Sequence, residues 1–158
     1  MAQLSVGLRS SAMTPREKAV QRLRSLGFEG ADLYLADLIP AVEMAWADGQ
    51  VQANERAVLE AFCETLVESL NRRAGARLFT VERARRRLGR LLERRLGPAE
   101  RQAALLAVAQ LSEGVVGADR RKRMIEWAEA VAAVDGSPVW DARELFWLER
   151  VRSTLGLS

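Results

Sequence analysis

Two Asp-Gly corners constrain this chain most. Ala47-Asp48-Gly49 is followed by Glu55, and Val134-Asp135-Gly136 by Glu144. At each corner an apolar helical pattern stops, a few residues follow, and a new amphipathic pattern opens with an acid in its first turn. An offset of 87 residues places Ala45-Trp46-Ala47-Asp48-Gly49 on Ala132-Ala133-Val134-Asp135-Gly136. An offset of 89 places Glu55, Leu59, Glu60 and Leu66 on Glu144, Leu148, Glu149 and Leu155. The matches fall at helical core and cap positions, so the chain reads as two related helical hairpins.

The helical pattern extends along the whole chain. Thr14-Pro15-Arg16-Glu17 is a capping box with proline at the first helical position, and Gly27 stops the short helix it opens. A second helix is expected from about Asp32 to Trp46, kinked or broken at Pro40, which removes a hydrogen bond and clashes with the preceding turn. A third runs from about Ala53 to Leu70, with Asn71 to Phe79 as a polar connection. Thr80 caps a fourth, from Val81 to about Leu96, and Gly97-Pro98 separates it from a fifth, about Ala99 to Leu111. Ser112 to Ala118 is expected to be a loop. A sixth helix carries Met124, Trp127, Ala128 and Val131, and a seventh opens at Asp141-Ala142-Arg143-Glu144. No alternating run of five residues supports a strand. The expected fold is therefore all-α, about seven helices in one bundle, with residues 1–29 as an N-terminal segment and residues 30–158 as a single domain.

The corner residues and those around them resemble the TerB-like family, the helical domain of tellurite-resistance proteins that also occurs at the N-terminus of a DnaJ-like membrane cochaperone. Ala47-Asp48-Gly49 through Glu55 and Leu59 carries the resemblance, and Asp135-Gly136 through Glu144 carries it more weakly. It implies a pseudo-twofold, non-enzymatic bundle working in bacterial stress response or defence, with metal held by acids. Carried onto this sequence, the metal candidates are Asp48, Glu55, Asp135 and Glu144. The second corner departs from the pattern in its longer loop, Ser137-Pro138-Val139-Trp140, and in Val134 where alanine is usual.

Chemistry narrows the function. The chain has no histidine and a single cysteine, Cys63, so neither a Cys/His zinc site nor an internal disulfide framework is available. A metal would have oxygen donors, which suits calcium or magnesium. An EF-hand is excluded, because glycine stands second after Asp48 and the twelfth position is Leu59. First-turn acids such as Glu55 and Glu144 also have a purely structural use, as partners of free backbone N–H groups. No nucleophile elbow or phosphate-binding loop is present, and catalysis is not expected.

Charge is sharply segregated. Residues 29–68 contain nine acids against Arg56 alone, and residues 72–101 contain eleven arginines against Glu82, Glu93 and Glu100. These blocks either pair with each other or attract separate partners. Arg83, Arg86, Arg87, Arg90 and Arg94 are expected to project from the fourth helix, with Arg120-Arg121-Lys122-Arg123 preceding the sixth and adding to the same surface. A protein partner with an acidic surface is the favoured external ligand. Nucleic acid and an anionic membrane surface are weaker alternatives, since no aromatic residues interleave with the arginines. Trp140 and Trp147 are the expected exposed anchors for a partner. No apolar run reaches the roughly 20 residues of a membrane span, and residues 1–12 lack the apolar core of a signal peptide, so the cytoplasm is the expected location.

Overall fold

The computed structural model describes residues 12–113, 117–134 and 142–156. Among these residues there are seven α-helices, one 3₁₀ segment and no strand. In chain order they are α1 (Pro15–Ser25), the 3₁₀ segment (Gly30–Leu38), α2 (Ile39–Ala45), α3 (Ala53–Ala74), α4 (Val81–Glu93), α5 (Pro98–Leu111), α6 (Ala118–Ala132) and α7 (Ala142–Thr154). None is long and apolar enough to cross a membrane.

Local chemistry sets most of these boundaries. Thr14 accepts the Glu17 N–H at 3.1 Å, and Thr80 accepts the Arg83 N–H at 3.2 Å, so α1 and α4 start where their hydroxyl caps stand. Pro40 ends the 3₁₀ winding and falls in the first turn of α2, where its missing N–H has no helical partner to lose. The expected single helix from Asp32 to Trp46 is therefore two elements of different pitch. Helix α3 runs past Leu70 to Ala74, because Gly75 closes it in the left-handed conformation at φ 67°. Asn71 lies inside that helix and pins the connection beyond it. Its Oδ1 accepts the Leu78 and Phe79 N–H groups at 2.9 and 3.2 Å, and its Nδ2 donates to the Phe79 carbonyl at 2.9 Å. Helix α4 ends at Glu93 rather than near Leu96, Arg94 turning extended toward Gly97-Pro98.

Helix α2 is the centre of the bundle, and all seven of its residues are buried. It packs along α6, its counterpart in the sequence repeat, and also touches α3, α5 and α7. Leu59, Cys63 and Leu66 of α3 and Leu148, Val151 and Leu155 of the second hairpin close the core from either side. Phe62 stacks on Trp127 with ring centroids 4.8 Å apart and planes at 10°, linking α3 to α6. Trp46 donates its indole N–H to the Leu91 carbonyl at 3.0 Å, fastening the first corner to α4. Helix α1 lies against α5 through the buried Ala19 and Leu23, with Arg22 donating to Gln110 at 3.0 Å.

The opposite charge blocks meet inside the molecule. Arg83 reaches Asp32 at 3.5 Å, Arg101 reaches Glu43 at 3.8 Å, and Arg85 pairs with Glu64. Two outward placements expected from the sequence are corrected. Arg87 is buried: its guanidinium lies 4.3 Å from the Phe28 ring centroid and donates to the Leu26 carbonyl at 3.0 Å. The Arg120–Arg123 tract does not precede α6 but forms its opening turns, and Arg120 and Arg123 fold inward onto the buried Asp37.

Gly27 makes the Arg87 contact achievable. Its φ is +96°, and a Cβ there would stand 3.0 Å from Arg87 Nη2. Gly27→Ala is therefore expected to destabilise the fold by more than about 1 kcal/mol, since the left-handed strain adds to a displaced buried guanidinium. Equilibrium urea unfolding checks this, and an unchanged midpoint would mean that the turn is not constrained.

Candidate functional site

The first corner and described residues flanking the second line one pocket. Asp48, Gln52 and Glu55 from the first hairpin and Val131, Val134 and Glu144 from the second line a small cavity of about 30 Å³, with Met44 at its base. Each acid is held differently. Asp48 is exposed and its Oδ1 accepts the Gln50 N–H at 3.3 Å, while Gly49 turns the chain at φ 100°. Glu55 accepts the Gln52 N–H at 2.8 Å, the backbone bond of a capping box. Glu144 stands in the first turn of α7. Asp135 and Trp140 lie outside the described residues, as does Asp141 of the expected cap. Among the described residues, no group of three or more His, Cys, Asp or Glu side chains is arranged to hold a metal ion.

Capping gives a direct expectation for Glu55. Gln can accept the same backbone N–H, so Glu55→Gln should lower stability by well under about 1 kcal/mol. A loss of several kcal/mol on thermal or chemical unfolding would show that the charge itself matters to the fold.

A second and much larger concavity lies on the neighbouring side of α2. It encloses about 640 Å³ and is walled by α7, by the start of α5 with the connection leading to it, and by the first corner. Arg143, Phe146, Trp147 and Arg150 face it from α7, and Arg95, Pro98, Arg101 and Gln102 face it from the opposite wall. Glu43 of α2 forms its floor and is the sole acid among the described lining residues, against four arginines. The volume is in the range of small-molecule sites.

Positions on the wall helices explain this grouping. Arg143, Phe146, Trp147 and Arg150 are spaced i, i+3, i+4 and i+7, which is one helical face. Leu148 and Val151 occupy the inner face of the same helix. Trp147 is not the exposed anchor expected from the sequence. It is half-buried against the core, and its indole N–H donates to the Pro40 carbonyl at 3.2 Å, which uses its polar edge and leaves ring surface toward the cleft. Phe146 beside it is 65% exposed. Arg150 crosses the cleft mouth to Gln102, its Nε donating to Oε1 at 3.1 Å.

Glu43 is the chemically unusual group. It is 3% exposed, its Oε2 has no hydrogen-bond partner, and the nearest cation is Arg101 at 3.8 Å. Burial pushes its carboxyl up from an ordinary 4.5 to about 7, with Arg101 and then Arg95 pulling the other way. Cys63 shows the same cause without a site: burial raises its thiol to about 11, opposed by Arg85, which makes it inert as a nucleophile.

The residues expected at an arginine surface are dispersed by comparison. Arg83 is engaged with Asp32, Arg94 with Glu100 at 3.4 Å, and Arg87 is inside. Arg86 and Arg90 remain on the outer face of α4, with no ion pair among the described residues. Of the cleft residues Trp147 was named from the sequence, and the others were missed because they come from three distant stretches. The i, i+3, i+4, i+7 pattern on α7 and a lone acid in the apolar run Ile39–Ala45 were the available signals.

The fold and the cleft together define a helical bundle with a cationic, aromatic-walled concavity. Comparison with protein-family models, with curated proteins and with solved structures gives no match.

Proposed function

We propose that this chain is a non-enzymatic interaction or sensing module of the TerB-like kind, serving a bacterial stress-response or defence system, and that it recognises an anionic ligand in the cleft between α2, α5 and α7. The observation that carries the binding reading is the convergence of four arginines and two aromatic rings on one 640 Å³ concavity. Guanidinium groups offer several fixed donors and match carboxylate or phosphate oxygens bidentately. The TerB-like part of this reading rests on the resemblance of Ala47-Asp48-Gly49 through Glu55 and Leu59.

Titration calorimetry with inorganic pyrophosphate tests the binding reading. Pyrophosphate should bind, and the paired change Arg95→Gln with Arg150→Gln should weaken it about a hundred-fold, each lost charge-assisted bond contributing about 1.5 kcal/mol. Arg86→Gln with Arg90→Gln should leave it unchanged. The reverse pattern would transfer the function to the outer face of α4, as an adaptor for nucleic acid or an acidic protein surface.

Asp48, Glu55 and Glu144 border one small pocket without forming a cluster arranged to hold an ion, so an auxiliary reading, in which calcium or magnesium binds weakly at the corners, is carried by the family resemblance alone. Under it, millimolar calcium raises the melting temperature slightly by mass action. Glu55→Gln then removes that shift while leaving the metal-free fold nearly intact. A melting curve indifferent to calcium would leave the corner acids as helix caps only.

A further inference from the structure

We infer that the ligand of the cleft is a nucleoside phosphate, its base lying on Phe146 and its phosphate held by Arg101 and Arg150. This rests on the anion-binding reading above and names the chemistry of the anion. The first support is Phe146. Phe146 is 65% exposed and adjoins the ring surface of Trp147 on the cleft wall, while α7 already fills the core through Leu148 and Val151, so packing does not require Phe146 at that position. Trp147 next to it has its N–H committed to Pro40 and extends the same wall with ring surface. The wall therefore presents flat apolar area rather than polar atoms.

The second support is how the arginines are held. Arg150 follows Phe146 by one helical turn and is fixed by Gln102 from the opposite wall, so its guanidinium is oriented across the mouth before any ligand arrives. Arg101 lies deeper, its side chain 22% exposed, above the buried Glu43. A ligand that satisfies both walls needs a planar ring and a compact anion with several acceptor oxygens, joined by a short spacer. An aliphatic carboxylate would leave Phe146 uncovered, and an uncharged ring would bring no anionic oxygen to Arg101 and Arg150. A free nucleotide and the phosphorylated end of a single strand share the required chemistry.

The test compares AMP, ribose 5-phosphate and a 5′-phosphorylated oligoadenylate by calorimetry on the full chain. AMP should bind about ten-fold more tightly than ribose 5-phosphate, in line with one base stacked on one aromatic ring. Phe146→Ala should bring the two within about two-fold by weakening AMP alone, and Arg150→Gln should weaken both. Phe146 is solvent-exposed, so the fold should survive its truncation, which circular dichroism checks. Tighter binding of the oligoadenylate than of AMP would identify a strand end as the source, and the opposite order would identify a free nucleotide. Equal binding of AMP and ribose 5-phosphate, both lost with Arg150→Gln, would overturn the nucleoside assignment and leave the anion site standing. Absence of binding by AMP, ribose 5-phosphate and pyrophosphate alike would overturn both.

Discussion

Replacing Asp37 with alanine is expected to lower the unfolding free energy by about 3–5 kcal/mol. Asp37 is 2% exposed, and its two oxygens accept from Arg120 Nε and Nη2, each at 2.7 Å, while Arg123 Nη2 adds a third bond at 3.1 Å. The bidentate bond to Asp37 holds the Arg120 guanidinium more firmly protonated than usual, against the opposing effect of burial. Truncating the acid leaves two cations facing the core of the 3₁₀–α2–α6 junction without a counter-charge. Arg123→Gln should do less, because Arg120 retains both of its bonds to Asp37. At this chain length each kcal/mol moves the melting temperature by about 2–4 °C, so the Asp37→Ala transition should fall by roughly 6–20 °C. A loss below about 1 kcal/mol on urea unfolding would mean that the cluster is solvated in solution.

Glu43 should make stability depend on pH above the range in which ordinary carboxyl groups titrate. The chain has no histidine, and ordinary carboxyl groups have finished titrating by about pH 5.5. Glu43 titrates at about 7 in the folded state against 4.5 ordinarily, so between those values the folded chain holds a proton that the unfolded chain has released. Stability therefore falls as pH rises through this window, by at most about 3 kcal/mol, and levels off above the folded value. Glu43→Gln removes the charge and should flatten the profile between about pH 5.5 and pH 8. A parent profile that is already flat there would mean that the carboxylate is solvated or fully neutralised by Arg101.

Different parts of the account were legible in the sequence to different degrees, for physical reasons. Caps and breakers act locally, so Thr14, Thr80, Gly97-Pro98 and the interruption at Pro40 were readable from neighbouring residues alone. The extension of α3 was not, because Asn71 reads as a loop residue until its partners Leu78 and Phe79 are known. Burial of charge was the larger gap. Arg87 shares the i, i+3, i+4, i+7 face of the buried Ala84, Leu88 and Leu91, but its charge in an arginine-rich run reads as exposed until the Phe28 ring and the Leu26 carbonyl that receive it are known. Asp37, Arg120 and Arg123 are likewise joined by tertiary packing between residues more than 80 positions apart. Asp48, Glu55 and Glu144 were singled out from the repeat, but their position around one pocket depends on α2 lying along α6. The cleft was the least visible, since its walls come from three segments that no local pattern connects.

The central claim, recognition of an anion in the cleft between α2, α5 and α7, is tested most directly by nitrogen-15 NMR during a titration with inorganic pyrophosphate. The four tryptophans give four indole N–H signals that serve as reporters. The Trp147 signal should shift with saturation, because its ring lines the cleft, while that of Trp127, stacked on Phe62 in the core, should stay in place. Backbone amides of Phe146, Arg150 and Arg101 should move with Trp147. A saturable shift confined to Arg86 and Arg90 on the outer face of α4, with Trp147 unmoved, would contradict the account.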